Sequence, residues 1–376
     1  MSLCTSICEN NVLAKKSDTV AIAAGGTGGH VFPAQAVCEV LSKEYQVIWF
    51  IDERGKRYIE FGKITDYGEK YVLLKTSSLR RNFARKVLGL INIFCDIIRS
   101  VFNLRYNKVD VVLGFGGYPA SPVLAAALFL GIPIILHEQN AVLGRVNRIF
   151  LKYAQLLAVS FEDTKLINPK YNNKIRYTGN PIRQSIIEAA SSARNTDQAI
   201  NIVIIGGSQG AKILCDVIPK AIVNLPEQLR YQMCVYQQVR QDLRTSVLSM
   251  YKNNVKKIAV QTFFDNIGEL LSKADFVIAR SGASTVAELT YLQKPSILVP
   301  LAIATDDHQY YNAMYLANKE AAIVIDEKNF TSHTLHKTLN KLFSGGRIDG
   351  MKKAARLLPQ KNGTANLVKE INAILK

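Results

Sequence analysis

The sequence is poor in the features that identify a function quickly. Only six cysteines occur in 376 residues. Cys4, Cys8, Cys38, Cys95, Cys215 and Cys234 are scattered, without the pairing of a disulfide framework or a zinc site, and a reducing cytosolic setting fits them. There are five histidines. His333 and His336 stand at i and i+3 with no third ligand, so no metal centre is read from the sequence. Zinc-finger spacings, basic low-complexity arms and runs of five basic residues are all missing, which argues against a nucleic-acid partner. The first 18 residues are mostly polar and lack the basic start and apolar stretch of a signal peptide. The most apolar window, Tyr118 to His137, contains Pro119, Pro122, Gly131 and Pro133. A buried helix followed by a buried strand suits it better than a membrane span.

What is present reads as a globular α/β protein. The chain is 48% hydrophobic and 20% charged, and its length suits two domains. The 47 Lys and Arg exceed the 30 Asp and Glu, giving a formal charge of +17, which suggests an anionic partner such as nucleic acid, anionic lipid or a phosphorylated substrate. Short apolar runs alternate with helical patterns. Strands are expected at 20–24, 47–51, 109–113, 132–136, 156–159 and 175–178. After the polar stretch Ser191–Gln198, a second series is expected at 200–205, 231–236, 255–261, 276–279, 296–299 and 322–325. Such alternation predicts parallel sheets covered by helices on both faces. Each half opens with an apolar strand, a glycine-rich turn and a helix: AIAAGGTGGHVFPAQAV and IVIIGGSQGAKILCDVI.

The unusual polar clusters follow these strands directly: Gly25–His30, Gly114–Tyr118, His137–Asn140, Gly179–Arg183, Gly206–Gly210 and Arg280–Thr285. Ligands bind at the carboxyl edge of open parallel sheets, so two such edges facing each other would form one cleft. Gly206-Gly207-Ser208-Gln209-Gly210 has the form of a phosphate cradle, with free N–H groups at a helix start. Gly25–His30 is the same device with a titratable group added. It matches a dinucleotide fingerprint at Gly26 and Gly28, has Val31 at the third position, and is followed by Asp52 after the second strand. That keeps a nicotinamide site in view but leaves the second glycine loop unexplained. His30, near a helix start, suits a neutral general base or a simple capping role. His137 is expected to orient a strand end. Glu288, one turn into a helix, could hold a ribose diol or close a capping box. Asp306 and Asp307 read as routine helix caps, leaving His308 and Gln309 as candidate ligand contacts.

The segment Leu79–Tyr106 carries Phe83, Val87, Leu90, Ile91, Phe94, Ile97, Ile98, Val101 and Phe102 at helical spacing, flanked or interleaved by Arg80, Arg81, Arg85, Lys86, Arg99 and Arg105. Most of this stripe is expected to pack on the sheet core, and the basic beginning, Leu79–Leu88, to touch lipid.

Seven motifs in order, GGTGGHVFPA, GFGGYPASP, HEQNAVLGRVNR, GNPIR, GGSQGA, ADFVIARSGASTVAE and the stretch from Gln309 to Asn312-Ala313, resemble the MurG family, the peptidoglycan N-acetylglucosaminyltransferases of glycosyltransferase family 28. The resemblance runs from about Val20 to the C-terminus. It implies a GT-B fold: two Rossmann-like domains with parallel sheets facing a central cleft. On that basis we expect a polar extension at 1–18, an acceptor- and membrane-facing domain at 19–182, a UDP-sugar domain at 183–360 and a final helix at 361–376 packing back on the first domain. The implied reaction is inverting transfer of N-acetylglucosamine from UDP-N-acetylglucosamine to undecaprenyl-diphosphate-linked muramoylpentapeptide, without cofactor or metal. The implied setting is peripheral, on the cytoplasmic face of the bacterial inner membrane, against an anionic surface and beside cell-wall synthesis proteins.

The family motifs place Thr27, Gly28, Gly29, His30 and Asn140 near the transferred sugar, and Arg183, Ser208, Gln209 and Gly210 at the diphosphate. They place Phe264 beside the uracil, Glu288 on the ribose, and Ala283, His308 and Gln309 at the sugar or neighbouring phosphate. His30 is the implied base, with Glu138 a second acid. Two departures stand out: Gln237-Gln238-Val239-Arg240 replaces a common His-Gln-Thr-Gly or Gln-Ser-Gly turn, and His308 stands where some relatives have Gln. A UDP-N-acetylglucosamine 2-epimerase, a diacylglycerol glycosyltransferase and a non-catalytic UDP-sugar-binding scaffold are the alternatives.

Overall fold

A computed structural model describes residues 18–60, 70–75, 83–192, 199–207 and 211–375. The expectations for 1–17, Ser208, Gln209 and Gly210, and for the side chains of Leu79–Leu88, lie outside the described residues. Strands β1 (Thr19–Ala23), β2 (Gln46–Asp52), β3 (Lys70–Leu74), β4 (Val111–Gly114), β5 (Ile134–Glu138), β6 (Leu156–Val159) and β7 (Ile175–Tyr177) form one sheet. Strands β8 (Ile200–Ile205), β9 (Met233–Gln238), β10 (Lys257–Gln261), β11 (Phe276–Ala279), β12 (Ser296–Leu298) and β13 (Ala322–Val324) form the other. Every pairing is parallel.

The strand orders are β3-β2-β1-β4-β5-β6-β7 and β10-β9-β8-β11-β12-β13. Each order reverses beside the strand that opens its domain: at β1/β4 in the first sheet and β8/β11 in the second. A crevice forms where loops leave such neighbours in opposite directions, so topology alone puts the two glycine loops at two ligand-binding crevices. The sheets are near-continuous apolar runs because both faces are covered. Val20, Ile22, Trp49 and Leu113 point to one face of the first sheet and Ala21, Phe50, Val112 and Leu136 to the other. The second sheet divides the same way.

β3 was not expected from sequence. It is a half-exposed edge strand, with Tyr71 55% accessible. Its backbone is satisfied by pairing with β2, although its local sequence is short and lacks a glycine turn.

The chain crosses between domains twice, and the crossings touch. A side chain at Gly363 would collide with the backbone of Asn180, so the second crossing lies directly on the first. Asn366 Nδ2 donates to Thr178 O at 2.9 Å, and Lys361 sits over the Tyr177 ring at 3.5 Å. The helix Gly363–Leu375 then buries Leu367 and Ile371 among Val31, Ala34 and Val37 of the helix Gly28–Leu41.

The helix Phe83–Tyr106 overturns an expectation. Most of its described apolar stripe does not pack on the core: Val101 does, but Leu90, Ile91, Phe94, Ile98 and Phe102 are exposed, Phe94 by 64% and Phe102 by 68%. The buried side instead carries Asp96, Ser100 and Leu104. Ser100 Oγ donates to Asp96 O at 2.7 Å, and Asp96 receives Arg99 Nη1 at 3.5 Å. Local hydrogen bonds and an ion pair thus let polar groups take the inner face.

Candidate functional site

The loop after β1 is shaped by Asp52 at the end of β2. This carboxylate, 4% exposed, accepts from Gly26 N at 2.7 Å, Gly55 N at 3.0 Å and Tyr118 Oη at 3.3 Å. Gly25 must be glycine because a Cβ would lie 2.6 Å from Asp52 Oδ1. Asp52 is therefore committed to bracing the loop, which removes the acid that a nicotinamide site would need for its ribose. Thr27 caps the helix Gly28–Leu41 without a side-chain hydrogen bond. Thr27 and Gly29 are exposed, Gly28 is buried and His30 is half-buried.

Three strand ends converge on His30. Its Nδ1 lies 3.2 Å from Gln139 Oε1. Gly117, at φ +72°, lies along the Cδ2–Nε2 edge of the ring, where a Cβ would approach Cδ2 to 3.1 Å. Glu138, expected as a second acid that orients or assists, has both oxygens engaged. Oε1 accepts from Asn140 N at 3.0 Å and Asn140 Nδ2 at 3.2 Å, while Oε2 accepts from Gly144 N at 2.8 Å and Asn147 Nδ2 at 2.9 Å. It is 2% exposed. A buried carboxylate with four donors shapes a loop; it has no oxygen left for chemistry.

Asn140 is pinned between domains. Its Oδ1 accepts from Asn312 Nδ2 at 3.1 Å. Asn312, fully buried, also accepts from Ala141 N at 2.7 Å and donates to Ser281 O at 3.1 Å. One amide thus ties the first domain to the helix His308–Ala317 and to the loop after β11. Asp306 works beside it: it does not act as a routine cap but pairs with Arg148 across the domains at 2.6 Å.

In the second domain, Gly207, at φ +79° with no atom within 4 Å of a Cβ position, opens the glycine loop ahead of the helix Lys212–Val223. Arg183 reaches Glu288 through Nε at 3.0 Å and Nη2 at 2.7 Å, both on Oε1. The family-implied phosphate and ribose ligands are therefore in contact. Ala283 opens the helix Ala283–Tyr291, which has no side-chain cap at its start, and Phe264 is buried. Gln309 spends its Oε1 on Leu301 N at 3.0 Å, leaving its amide donors without an acceptor among the described residues. His308 Nδ1 lies 2.8 Å from Thr305 O, within its own turn.

His137 is buried in the first sheet, and burial, reinforced by His30, lowers its pKa to about 3 against the opposing pull of the Gly179 carbonyl. The unfolded chain takes up a proton near pH 6.5 that the native state refuses. Stability is unaffected above that pH and is lost as pH falls from 6.5 towards 3, by about 2 kcal/mol between pH 7.5 and 5. Urea midpoints at the two pH values should move closer together in His137→Gln. An unchanged separation would count against the buried neutral imidazole.

Two Rossmann-like domains, each an all-parallel sheet whose opening strand leads into a glycine loop, define a GT-B fold. The sequence matches the glycosyltransferase family 28 N-terminal domain over residues 20–159 and the family 28 C-terminal domain over 201–371. A Paramagnetospirillum magneticum UDP-N-acetylglucosamine--N-acetylmuramyl-(pentapeptide) pyrophosphoryl-undecaprenol N-acetylglucosamine transferase is 37% identical over 86% of this chain and 88% of its own. A protein of the same name from Wolbachia sp. subsp. Brugia malayi is 35% identical over 93% and 97%. The crystal structure of Acinetobacter baumannii MurG superposes with a TM-score of 0.76 at 30% identity, covering 95% of this chain and all of that one. The chain belongs to the MurG family of glycosyltransferase family 28.

Proposed function

We propose that this enzyme transfers N-acetylglucosamine from UDP-N-acetylglucosamine, with inversion, to the 4-hydroxyl of the muramoylpentapeptide carried on undecaprenyl diphosphate, completing the lipid-linked disaccharide of peptidoglycan. The observation that supports this reading is an anchored histidine, His30, at the crevice of the first sheet, together with a glycine loop and the Arg183–Glu288 pair at the crevice of the second. In this reading residues 19–182 hold the acceptor, residues 183–360 hold the donor, and residues 361–376 return to the first domain.

The chemistry makes two demands. The acceptor hydroxyl must lose a proton as it attacks the anomeric carbon, and His30 supplies the base. The departing UDP gains negative charge, which Arg183 and the loop Gly206–Gly210 stabilise. Thr27, Gly28, Gly29 and Asn140 line the acceptor side of the transferred sugar. Glu288 holds the ribose, Phe264 borders the uracil, and Ala283, His308 and Gln309 face the sugar or its phosphate. Ser208, Gln209 and Gly210 complete the phosphate loop. Asn312 and Asp306 hold the domains together around the cleft. UDP release should require both UDP-N-acetylglucosamine and a short-chain lipid-linked muramoylpentapeptide, and should survive EDTA. Release with a diacylglycerol acceptor instead would reassign the substrate.

The exposed stripe of Leu90, Ile91, Phe94, Ile98 and Phe102 supports peripheral attachment to the cytoplasmic face of the inner membrane. Phe129, 79% exposed at the end of the adjoining helix Ala120–Leu130, extends it. A cluster of this kind marks an interaction surface, and the net charge of +17 favours an anionic one. No described helix is long and apolar enough to span a bilayer. The double variant Phe94→Glu/Phe102→Glu should lower partitioning to anionic vesicles by about tenfold or more, since each buried Phe contributes about 1.5–3 kcal/mol. Turnover of a water-soluble acceptor should stay unchanged. Unaltered vesicle binding would move the membrane contact elsewhere.

A further inference from the structure

The side chain of Gln139 is 1% exposed at the end of β5, and its surroundings fix which way its amide points. Nε2 lies 3.0 Å from the carbonyl oxygen of Phe115. A carbonyl can only accept, so this end of the amide is the NH2 group whatever the histidines do. Oε1 then faces His30 Nδ1 at 3.2 Å. An amide oxygen can only accept, so Nδ1 must carry the hydrogen. In a neutral imidazole the lone pair is then on Nε2.

The second hydrogen of Gln139 Nε2 points to His137 Nδ1 at 3.1 Å, which makes that nitrogen an acceptor. His137 keeps its own proton on Nε2, on the side of Gly179 O at 3.5 Å. A charged His137 could not accept from Gln139, and its burial prevents that charge. A polarised line therefore runs from the Gly179 carbonyl through His137 and Gln139 to His30. At its far end Gly117 leaves the Cδ2–Nε2 edge of the ring without a side chain over it.

We propose that Gln139 is a positioning residue that holds the His30 imidazole as its Nδ1–H tautomer, aiming the Nε2 lone pair at the acceptor hydroxyl. The catalytic half of this statement rests on the reading of His30 as the base; the tautomer does not. A purely structural Gln139 would tie the loop after β4 to β5 equally well, but would have no bearing on where His30 carries its proton.

The test is long-range 1H–15N NMR of the full chain labelled with 15N-histidine, at a pH where His30 is neutral, with the His30 signals assigned by their loss in His30→Ala. The expected wild-type pattern is a pyrrole-like Nδ1 and a pyridine-like Nε2. A pyrrole-like Nε2 in the wild type overturns the proposal, and this measurement needs no variant of Gln139 to fold. Gln139→Met keeps the bulk and removes the amide. It should give a mixture of tautomers and lower kcat by about 10–100-fold, with KM for UDP-N-acetylglucosamine unchanged. A fall in kcat with the tautomer unmoved also overturns the positioning role. Full turnover by His30→Ala would remove the base reading alone and leave the tautomer assignment to the spectrum.

Discussion

Replacing His30 by alanine is expected to lower kcat by about 10²- to 10⁴-fold, the range a lost general base commonly covers, while leaving the affinity for UDP-N-acetylglucosamine unchanged. The split follows from the architecture. His30 stands at the crevice of the first sheet, held by Gln139 and lined by Gly117. The residues assigned to the nucleotide, Glu288 and the loop opened by Gly206 and Gly207, sit at the crevice of the second sheet. Removing the imidazole takes away a proton acceptor without touching that second crevice. Isothermal titration with the donor and steady-state turnover with the lipid-linked acceptor check the two halves. If affinity and kcat fell together, His30 would be a donor ligand and the base would have to be sought elsewhere.

The glycine loops were legible because their chemistry is local. A strand, a glycine turn and a helix start within ten residues declare a crevice, and the sheet topology then places both crevices where the strand order reverses. Gln139 and Asn312 were not legible for the opposite reason. Both fall within the family motifs, but their roles depend on partners 109 and 171 residues away in sequence. Glu138 was set beside His30 by the family motif alone, and its donors on Asn140, Gly144 and Asn147 depend on a chain path the sequence does not state. The helix Phe83–Tyr106 departs from expectation for another reason. Its periodicity shows an amphipathic helix, but the inner face went to Asp96 and Ser100 once their hydrogen bonds were satisfied, and the aromatic face was left outside.

Glu288→Ala should separate nucleotide recognition from the chemical step in the other direction. A ribose hydroxyl donating to a carboxylate forms a hydrogen bond to a charged group, contributing about 1.5–3 kcal/mol, so the loss of one such bond should lower donor affinity by roughly 10- to 100-fold while kcat at saturating donor changes little. In the present structure both Arg183 nitrogens crowd onto Oε1, and among the described residues none donates to Oε2. One oxygen thus orients the guanidinium while the other is left for the sugar hydroxyls. Arg183 is 35% exposed, so water can solvate it when its partner is gone. Arg183→Ala should instead lower kcat more than affinity, because its charge counts most against the departing diphosphate. If the two residues act as a pair, the double variant should lose less than the sum of the single losses. Strict additivity would mean that Glu288 does not orient Arg183 in the donor complex, and unchanged donor affinity in Glu288→Ala would reduce Glu288 to a structural partner of Arg183.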